Sequence, residues 1–211
     1  MTYQQWLADA AQALNQVNPT ENGKVDALVL LQHATGKSRT QILAFDETEI
    51  DEKVRLKLTA LLDEHQARYR VVEHPTAGKS EEVAKIRGTE LGQGAKALVC
   101  KVKGNGLKQA VLVILPADQQ SDLNKVAAYL GGTKASLASP AEVDALTDCV
   151  FGAIPPFSFH PDLLLIADPS LLSRYDELAF NAGTLERSII LNTQDYASIV
   201  QPTLVDVIKT E

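Results

Sequence analysis

The side chains that most often carry chemistry are few in this sequence and do not cluster. Cys100 and Cys149 are the only cysteines and form no C-x-x-C pair, which favours two buried thiols over a disulfide or a zinc site. No two histidines are three to five residues apart, so no local pair has the spacing of metal ligands. No G-x-S-x-G nucleophile motif occurs either. Any hydrolysis is therefore expected to use neither a metal nor a covalent intermediate, although a triad assembled from distant residues stays open.

Two glycine motifs resemble nucleotide-binding loops, but the residues around them do not fit such loops. Gly78-Lys79-Ser80 lacks the glycine that a phosphate loop requires five positions earlier, where Glu73 stands, and Pro75 falls within the loop. Gly92 and Gly94 precede a β-rich stretch, whereas a dinucleotide motif opens a helix. We therefore interpret the second motif as a turn, and no cofactor is expected.

Composition and charge are typical of a globular chain with one basic stretch. The 211 residues carry a net charge of −7, which argues against a general nucleic-acid coat protein. Residues 68–108 nevertheless contain nine basic and four acidic side chains. Such a stretch is typical of contact with a short piece of nucleic acid, or equally of a solvated face. The sequence has neither a membrane-length apolar run nor a secretory start, so we expect a cytoplasmic protein without a membrane partner.

The two parts of the chain differ in their periodicity. Residues 1–67 have helical spacing and predict a small bundle of four short helices, the third over residues 38–45 and the last from about Ile50. Residues 68–211 alternate strands and helices, and Gly104-Asn105-Gly106 predicts a hairpin between two β-rich runs. Ser80 is predicted to cap a helix, and Ser139 to begin a helix with a capping box. The fold class is therefore α+β with a mixed sheet, in two domains, 1–67 and 68–211.

Residues 69–206 resemble the YbaK/prolyl-tRNA-editing family in a series of short motifs that follow the family's order. The motifs are Tyr69-Arg70-Val71-Val72-Glu73-His74-Pro75, Ser80-Glu81-Glu82-Val83-Ala84, Gly94-Ala95-Lys96-Ala97-Leu98-Val99, Leu115-Pro116-Ala117-Asp118, Gly152-Ala153-Ile154-Pro155-Pro156-Phe157, Asn181-Ala182-Gly183 and Ser188-Ile189. The resemblance implies an aminoacyl-tRNA deacylase, with a partly barrel-like sheet flanked by helices. From the missing motifs, we expect neither a metal nor a cofactor.

The resemblance assigns two residues to the chemistry. Lys96 matches a lysine that family members place in the pocket, where an ammonium group would hold the terminal phosphate or ester of the acceptor end. Gly152 to Pro156 match a G-x-x-x-P loop, whose backbone N–H groups would hold the developing oxyanion. By spacing alone, Lys96 would be a solvated strand lysine, and the loop an ordinary turn. We expect Lys96 and this loop to share one concave pocket, with Gly152, Ala153 and Ile154 as the available donors.

Other positions that match the family's pocket are predicted to bind substrate. They are His74, Ser80, Ala153, Ile154, Pro156, Gly183 and Ser188. His74 and Ser80 also have purely structural explanations, as part of a turn and as a helix cap. Some relatives carry a histidine in the region of Gly183 and Ser188, and this chain does not, so the amino acid and the proton-transfer route stay open. The predicted function is hydrolysis of a small amino acid from mischarged tRNA.

Residues 3–64 carry a second resemblance, to the helical N-terminal domain of the release-factor glutamine methyltransferase. It rests on Tyr3-Gln4-Gln5-Trp6-Leu7, Leu30-Leu31-Gln32-His33-Ala34-Thr35-Gly36-Lys37 and Ile42-Leu43-Ala44-Phe45. The methyltransferase's Asn-Pro-Pro-Tyr motif is absent from the sequence, so that activity is not implied. This part could dock a synthetase, a translation factor or tRNA, or simply cover the other domain. The alternative function is a non-catalytic module that binds aminoacyl-tRNA or a nucleotide and docks a translation factor.

Overall fold

The computed structural model describes residues 6–12, 27–28, 31–32, 53–77 and 79–210. The chain divides into two compact units, Met1–Lys53 and Val54–Glu211. The predicted domain boundary at residues 67 and 68 stays a prediction.

In the first unit every described residue is helical, which confirms the first two predicted helices where they are described. Leu31 is buried there, and Trp6, Leu7 and Leu28 pack against it. The third predicted helix, over residues 38–45, lies outside the described residues. None of the helices in the described ranges is long and apolar enough to cross a membrane.

From Lys53 onward, helices and strands are interleaved along the chain. The helices are α1 (Lys53–Glu64), α2 (Ser80–Arg87), α3 (Leu123–Tyr129), α4 (Pro140–Thr147), α5 (Ser170–Ser173) and α6 (Thr193–Val200). The strands are β1 (Tyr69–Glu73), β2 (Ala95–Gly104), β3 (Leu107–Pro116), β4 (Lys134–Leu137), β5 (Leu163–Ala167), β6 (Glu177–Asn181), β7 (Arg187–Asn192) and β8 (Thr203–Leu204).

The strands form two sheets, which pack against each other and are linked by one isolated bridge. The smaller sheet has the order β1-β7-β6 and is antiparallel. The larger has the order β4-β2-β3-β5-β8, in which β5 runs parallel to both β3 and β8. An isolated bridge between Gly94 and Ala179 links the start of β2 to β6. The predicted mixed, partly closed sheet is thereby confirmed.

A tight turn sets the register between β2 and β3. Asn105 has φ of 53° and Gly106 has φ of 79°, the left-handed values that two-residue hairpin turns require. Ala95 is paired with Pro116 at the far end of the ladder, so all ten residues of β2 have partners. The predicted hairpin is confirmed. It fixes Lys96 at the end of a rigid ladder, opposite Leu115.

Apolar layers cover both faces of the larger sheet. On one face, Val99, Leu112 and Ile114 pack with the smaller sheet and with α1 and α6 in the main core. On the other face, Val111, Val113 and Leu115 pack with α3. Because β3 is buried on both faces, it is an almost continuous apolar run rather than an alternating one.

The helix starts include one confirmed prediction and one wrong prediction. Ser139 forms the predicted capping box with Glu142, and Pro140 follows at the first helical position. Ser80 does not cap α2: the cap is Lys79, and no side chain accepts a hydrogen bond from this end. Ser80 is instead the first residue inside α2, which leaves its hydroxyl outside the capping geometry.

Burial predicts that neither thiol reacts while the protein is folded. Cys100 is fully buried and Cys149 nearly so, and burial raises their pKa values to about 12 and about 11. The thiolate is the reactive form, so it is scarce at pH 8. We expect no reaction with an aromatic disulfide reagent at pH 8, and two thiols per chain after denaturation in guanidinium chloride. Rapid reaction of the folded protein would contradict this burial.

Candidate active site

A cavity of about 190 Å³ lies at the junction of the two sheets. Its walls come from α2, from the start of β2, from β6 and from the loop after α4. The lining residues are Ser80, Val83, Ala84, Arg87, Gly94, Ala95, Lys96, Ala97, Leu98, Ala117, Phe151, Gly152, Ile154, Ala179, Phe180 and Asn181. Lys96 and Gly152 therefore do share one cavity, as expected, together with the predicted residues Ser80 and Ile154.

Lys96 enters the cavity from the second position of β2. Its Nζ donates to the backbone carbonyl of Gln119 at 2.5 Å, which restrains the ammonium at the cavity wall. Burial lowers the pKa of Lys96, and the nearby Asp118 carboxylate partly opposes that effect. Asp118 itself is held by Arg174 at 2.8 and 2.6 Å, so it is not the direct partner of Lys96. The ammonium keeps donors available for a ligand.

The Gly152 loop offers fewer backbone donors than the sequence predicts. Gly152 has φ of 83°, a value that favours glycine. The N–H of Ala153 donates to the Val150 carbonyl at 3.1 Å, so the predicted availability of this donor is wrong. Within the described part of the chain, the N–H groups of Gly152 and Ile154 have no acceptor. These two groups are the loop's candidates for holding an oxyanion.

Arg87 is a lining residue that the sequence analysis missed. Its Nε donates to Ser188 Oγ at 2.8 Å, and its Nη2 donates to Asn181 Oδ1 at 2.8 Å. Burial lowers the pKa of Arg87 to about 10. No local signal marks this residue, because its partners lie on β6 and β7, about a hundred positions further along the chain.

His74 and Ser188 lie behind the cavity wall rather than on it. His74 Nε2 is 2.6 Å from Ser188 Oγ, and His74 Nδ1 is 2.8 Å from the Pro75 carbonyl, to which it donates. Ser188 Oγ also lies 3.0 Å from Asn181 Oδ1. The Nδ2 of Asn181 donates to the carbonyls of Ala77 and Gly152. These contacts form one polar network. Because His74 and Ser188 do not line the cavity, they can influence a substrate only indirectly, through the other residues of this network.

Three further predicted residues also lie off the cavity wall. Ala153 is fully buried, and its carbonyl accepts from the N–H of Gly183 at 2.9 Å. The carbonyl of Pro156 accepts from the Tyr196 hydroxyl at 2.9 Å. Gly183 has φ of 84°, and a Cβ there would stand 2.9 Å from Val54 Cβ. Their positions make them supports of the loop and of the core.

The charge of the cavity lining is one-sided. It contains the two cations Lys96 and Arg87 and no aspartate or glutamate. Among the residues that the structure describes, no group of three or more histidine, cysteine, aspartate or glutamate side chains could hold a metal. A site of this kind binds and polarises oxygen atoms that carry negative charge, or that gain it during a reaction.

Known families match both parts of the chain. Residues 74–199 match the aminoacyl-tRNA editing domain, and residues 5–69 match the PrmC N-terminal domain. The multifunctional Ser/Thr-tRNA deacylase ProXp-y of Escherichia coli strain K12 is 64% identical over 154 residues, which are 73% of this chain and 92% of that protein.

Two further relatives match one part each. The release factor glutamine methyltransferase of Haemophilus influenzae is 79% identical over 63 residues, which are 30% of this chain and 22% of that protein. A crystal structure of a proposed trans-editing enzyme for prolyl tRNA synthetase superposes with a TM-score of 0.63 at 25% identity, covering 74% of this chain and 98% of that one. The chain therefore belongs to the aminoacyl-tRNA editing family, and its N-terminal part is similar to the PrmC N-terminal domain.

Proposed function

We propose that this protein hydrolyses the ester between a small hydroxyl-bearing amino acid and the acceptor end of a mischarged tRNA. One observation carries the proposal: Lys96, Gly152 and Ile154 line a single cavity without carboxylates, and the N–H groups of Gly152 and Ile154 have no acceptor among the described residues. The activity of the relative that deacylates Ser/Thr-tRNA supports serine and threonine as the first esters to test. The proposed substrate is the aminoacylated end of tRNA. We propose that the protein acts on it in the cytoplasm, without a membrane.

The charges of the cavity orient this substrate. The α-ammonium of an aminoacyl ester would be repelled by Lys96 and finds no carboxylate among the lining residues. The ester oxygens and the terminal phosphate are attracted instead. Lys96 holds the phosphate or ester, and the N–H groups of Gly152 and Ile154 take up the charge on the carbonyl oxygen.

The chemical step is attack by water on the ester carbonyl. A ribose hydroxyl of the substrate positions that water by a hydrogen bond. The carbonyl oxygen becomes negative in the tetrahedral intermediate. The carbon–oxygen bond to the ribose then breaks, and the leaving ribose oxygen receives the proton that the water loses. The protein contributes position and electrostatic stabilisation, so neither a covalent intermediate nor a metal is part of the proposal.

The size and lining of the cavity support a small side chain. About 190 Å³ is only somewhat larger than the ~150 Å³ engineered cavity that holds a benzene ring. Val83, Ile154 and Phe180 give it an apolar part, and the Ser80 hydroxyl a polar one. This hydroxyl has no hydrogen-bond partner among the described residues, so it is available to a hydroxyl on the substrate.

A deacylation screen tests the proposed function. Seryl, threonyl, alanyl and prolyl esters are prepared on several tRNAs, and their release is followed with and without the protein. We expect seryl or threonyl esters to be hydrolysed at least a hundredfold faster than in buffer. Tight binding of these tRNAs without turnover would instead support the non-catalytic binding module.

Replacement of Ser80 by alanine is expected to change which ester is preferred. The variant loses the hydroxyl partner of a seryl side chain but no partner of an alanyl side chain. The ratio of kcat/KM for seryl over alanyl ester should therefore fall about tenfold, the usual effect of one neutral hydrogen bond. Ser139→Ala, in the capping box outside the cavity, is the control. An unchanged ratio in Ser80→Ala would assign specificity to other residues.

The methyltransferase-type part supplies the second element of the proposal. Residues 1–67 are proposed to dock a synthetase or a translation factor, and thereby to bring the deacylase to newly charged tRNA. The match to a domain known from another translation enzyme supports this role.

A further inference from the structure

Arg87 is a half-buried cation to which the proposed editing chemistry assigns no role. It lies in the last turn of α2, directly before Gly88, which ends the helix with φ of 69°. Its Nε and Nη2 are occupied by Ser188 and Asn181. Its Nη1 has no hydrogen-bond partner among the described residues and is not fully buried, so it is accessible to a ligand. Arg87 is also one of the residues that line the cavity.

The partners of Arg87 do not neutralise its charge. Both are uncharged, and no carboxylate lines the cavity. Elsewhere in this unit arginines are paired with acids: Arg68 with Asp195, Arg70 with Glu177, and Arg174 with Asp118. Keeping a partly buried guanidinium without a counter-charge costs folding free energy. Such a cost is typical of a site where a negative charge arrives with the ligand or during the reaction.

The network ties Arg87 to the Gly152 loop. The Asn181 amide accepts from Arg87 through Oδ1 at 2.8 Å and donates to the Gly152 carbonyl through Nδ2 at 2.8 Å. One rigid side chain therefore fixes the distance between the guanidinium and the loop N–H groups. Lys96, by contrast, lies on β2 in the larger sheet and donates to the Gln119 carbonyl. The two cations have separate supports.

We propose that Arg87 is a catalytic residue whose free Nη1 donates to the ester carbonyl oxygen as its negative charge develops, together with the N–H groups of Gly152 and Ile154. The proposal rests on the proposed deacylase function. Arg87 donates hydrogen bonds only: water forms the new bond to carbon, the ribose oxygen leaves, and no proton is transferred from the guanidinium. With a pKa of about 10, Arg87 stays protonated at neutral pH.

Steady-state kinetics of Arg87→Ala test the proposal. An interaction made only in the transition state lowers kcat and leaves KM almost unchanged. We expect kcat for the preferred aminoacyl-tRNA to fall about a hundredfold or more, with KM within about threefold. Guanidinium ion at low millimolar concentration should restore part of the lost rate. Lys85→Ala, which removes a charge from the exposed side of the same helix, is the matched control.

Three results would overturn the proposal. An unchanged kcat would show that Arg87 takes no part in the chemical step. A raised KM with unchanged kcat would assign it to binding of the acceptor phosphate alone. A lowered kcat without guanidinium rescue, accompanied by loss of the thermal transition, would assign it to the fold. If Arg87→Ala does not fold, Arg87→Lys is used to test the role of Arg87. A lysine keeps the positive charge but lacks the three nitrogen donors of the guanidinium group. A kcat equal to wild type in Arg87→Lys would then refute the role.

The outcomes separate this proposal from the proposed function. If the unaltered protein hydrolyses no mischarged tRNA in the screen, the deacylase assignment itself fails. If the unaltered protein is active and Arg87→Ala is equally active, only the role of Arg87 fails.

Discussion

Replacement of Lys96 by alanine should lower the rate of aminoacyl-tRNA deacylation about a hundred- to a thousandfold. The ammonium is restrained by Gln119 at the wall of a cavity without carboxylates, where its charge acts on the substrate through little solvent. Loss of one such positioned donor has effects of this size in other hydrolases. The rate is measured in single-turnover conditions, with the protein in saturating excess over the mischarged tRNA, so that binding and chemistry are separated.

The fold of this variant should survive. Lys96 is half-buried at the end of a ten-residue ladder, and the alanine leaves only the Gln119 carbonyl without its partner, at a cost of about 1 kcal/mol. Lys57→Ala, on the exposed side of α1, is the control for the loss of a charge. An active Lys96→Ala variant would remove this residue from the mechanism. Arginine at position 96 should restore phosphate binding more than rate, because its fork cannot take the position of a single ammonium.

Replacement of Gly183 by alanine is expected to lower the free energy of unfolding by about 2–4 kcal/mol. Two terms contribute. The left-handed backbone at φ of 84° costs a side chain about 1–2 kcal/mol, and a Cβ placed 2.9 Å from Val54 Cβ requires α1 to shift within a packed core. The loss is a large share of the 5–15 kcal/mol typical of a domain. Urea unfolding followed by circular dichroism measures it.

A matched glycine separates the two terms. Gly131 has a similar φ of 77°, but a Cβ there would meet nothing within 4 Å. Gly131→Ala should therefore show the backbone term alone, about 1–2 kcal/mol. Deacylation per folded molecule should be nearly normal in Gly183→Ala, because Gly183 lies off the cavity wall. A large loss of kcat in a fully folded Gly183→Ala variant would instead support the predicted role of Gly183 in substrate binding.

The sequence predicted those parts of the fold and site that depend on local patterns. The hairpin around Asn105 follows from turn chemistry, and the start of α4 from its capping box. The mixed sheet follows from the coexistence of a hairpin with alternating strands and helices. Lys96 and Gly152 were assigned by resemblance, since spacing alone makes them a strand lysine and a turn glycine.

What the sequence could not predict depends on contacts between distant elements. Arg87 looks like an ordinary basic residue near a helix end, and only β6 and β7 give it a place in the cavity. Ser80 looks like a helix cap, yet the chain begins α2 one residue earlier. The helix α6 was missed altogether, although Asn192 caps it and Asp195 stands in its first turn. These are local signals, so α6 is the one of these three features that the sequence could have predicted.

The single bridge between Gly94 and Ala179 has a consequence for synthesis on the ribosome. One wall of the cavity is translated some eighty residues before the opposite one, and long-range pairing of this kind is slow to form. A nascent chain that ends before β6 has Lys96 and β1 but neither Asn181 nor the partner strands β6 and β7. Such a chain would present an unclosed sheet edge, so the growing protein becomes competent for tRNA only when its last quarter has been made.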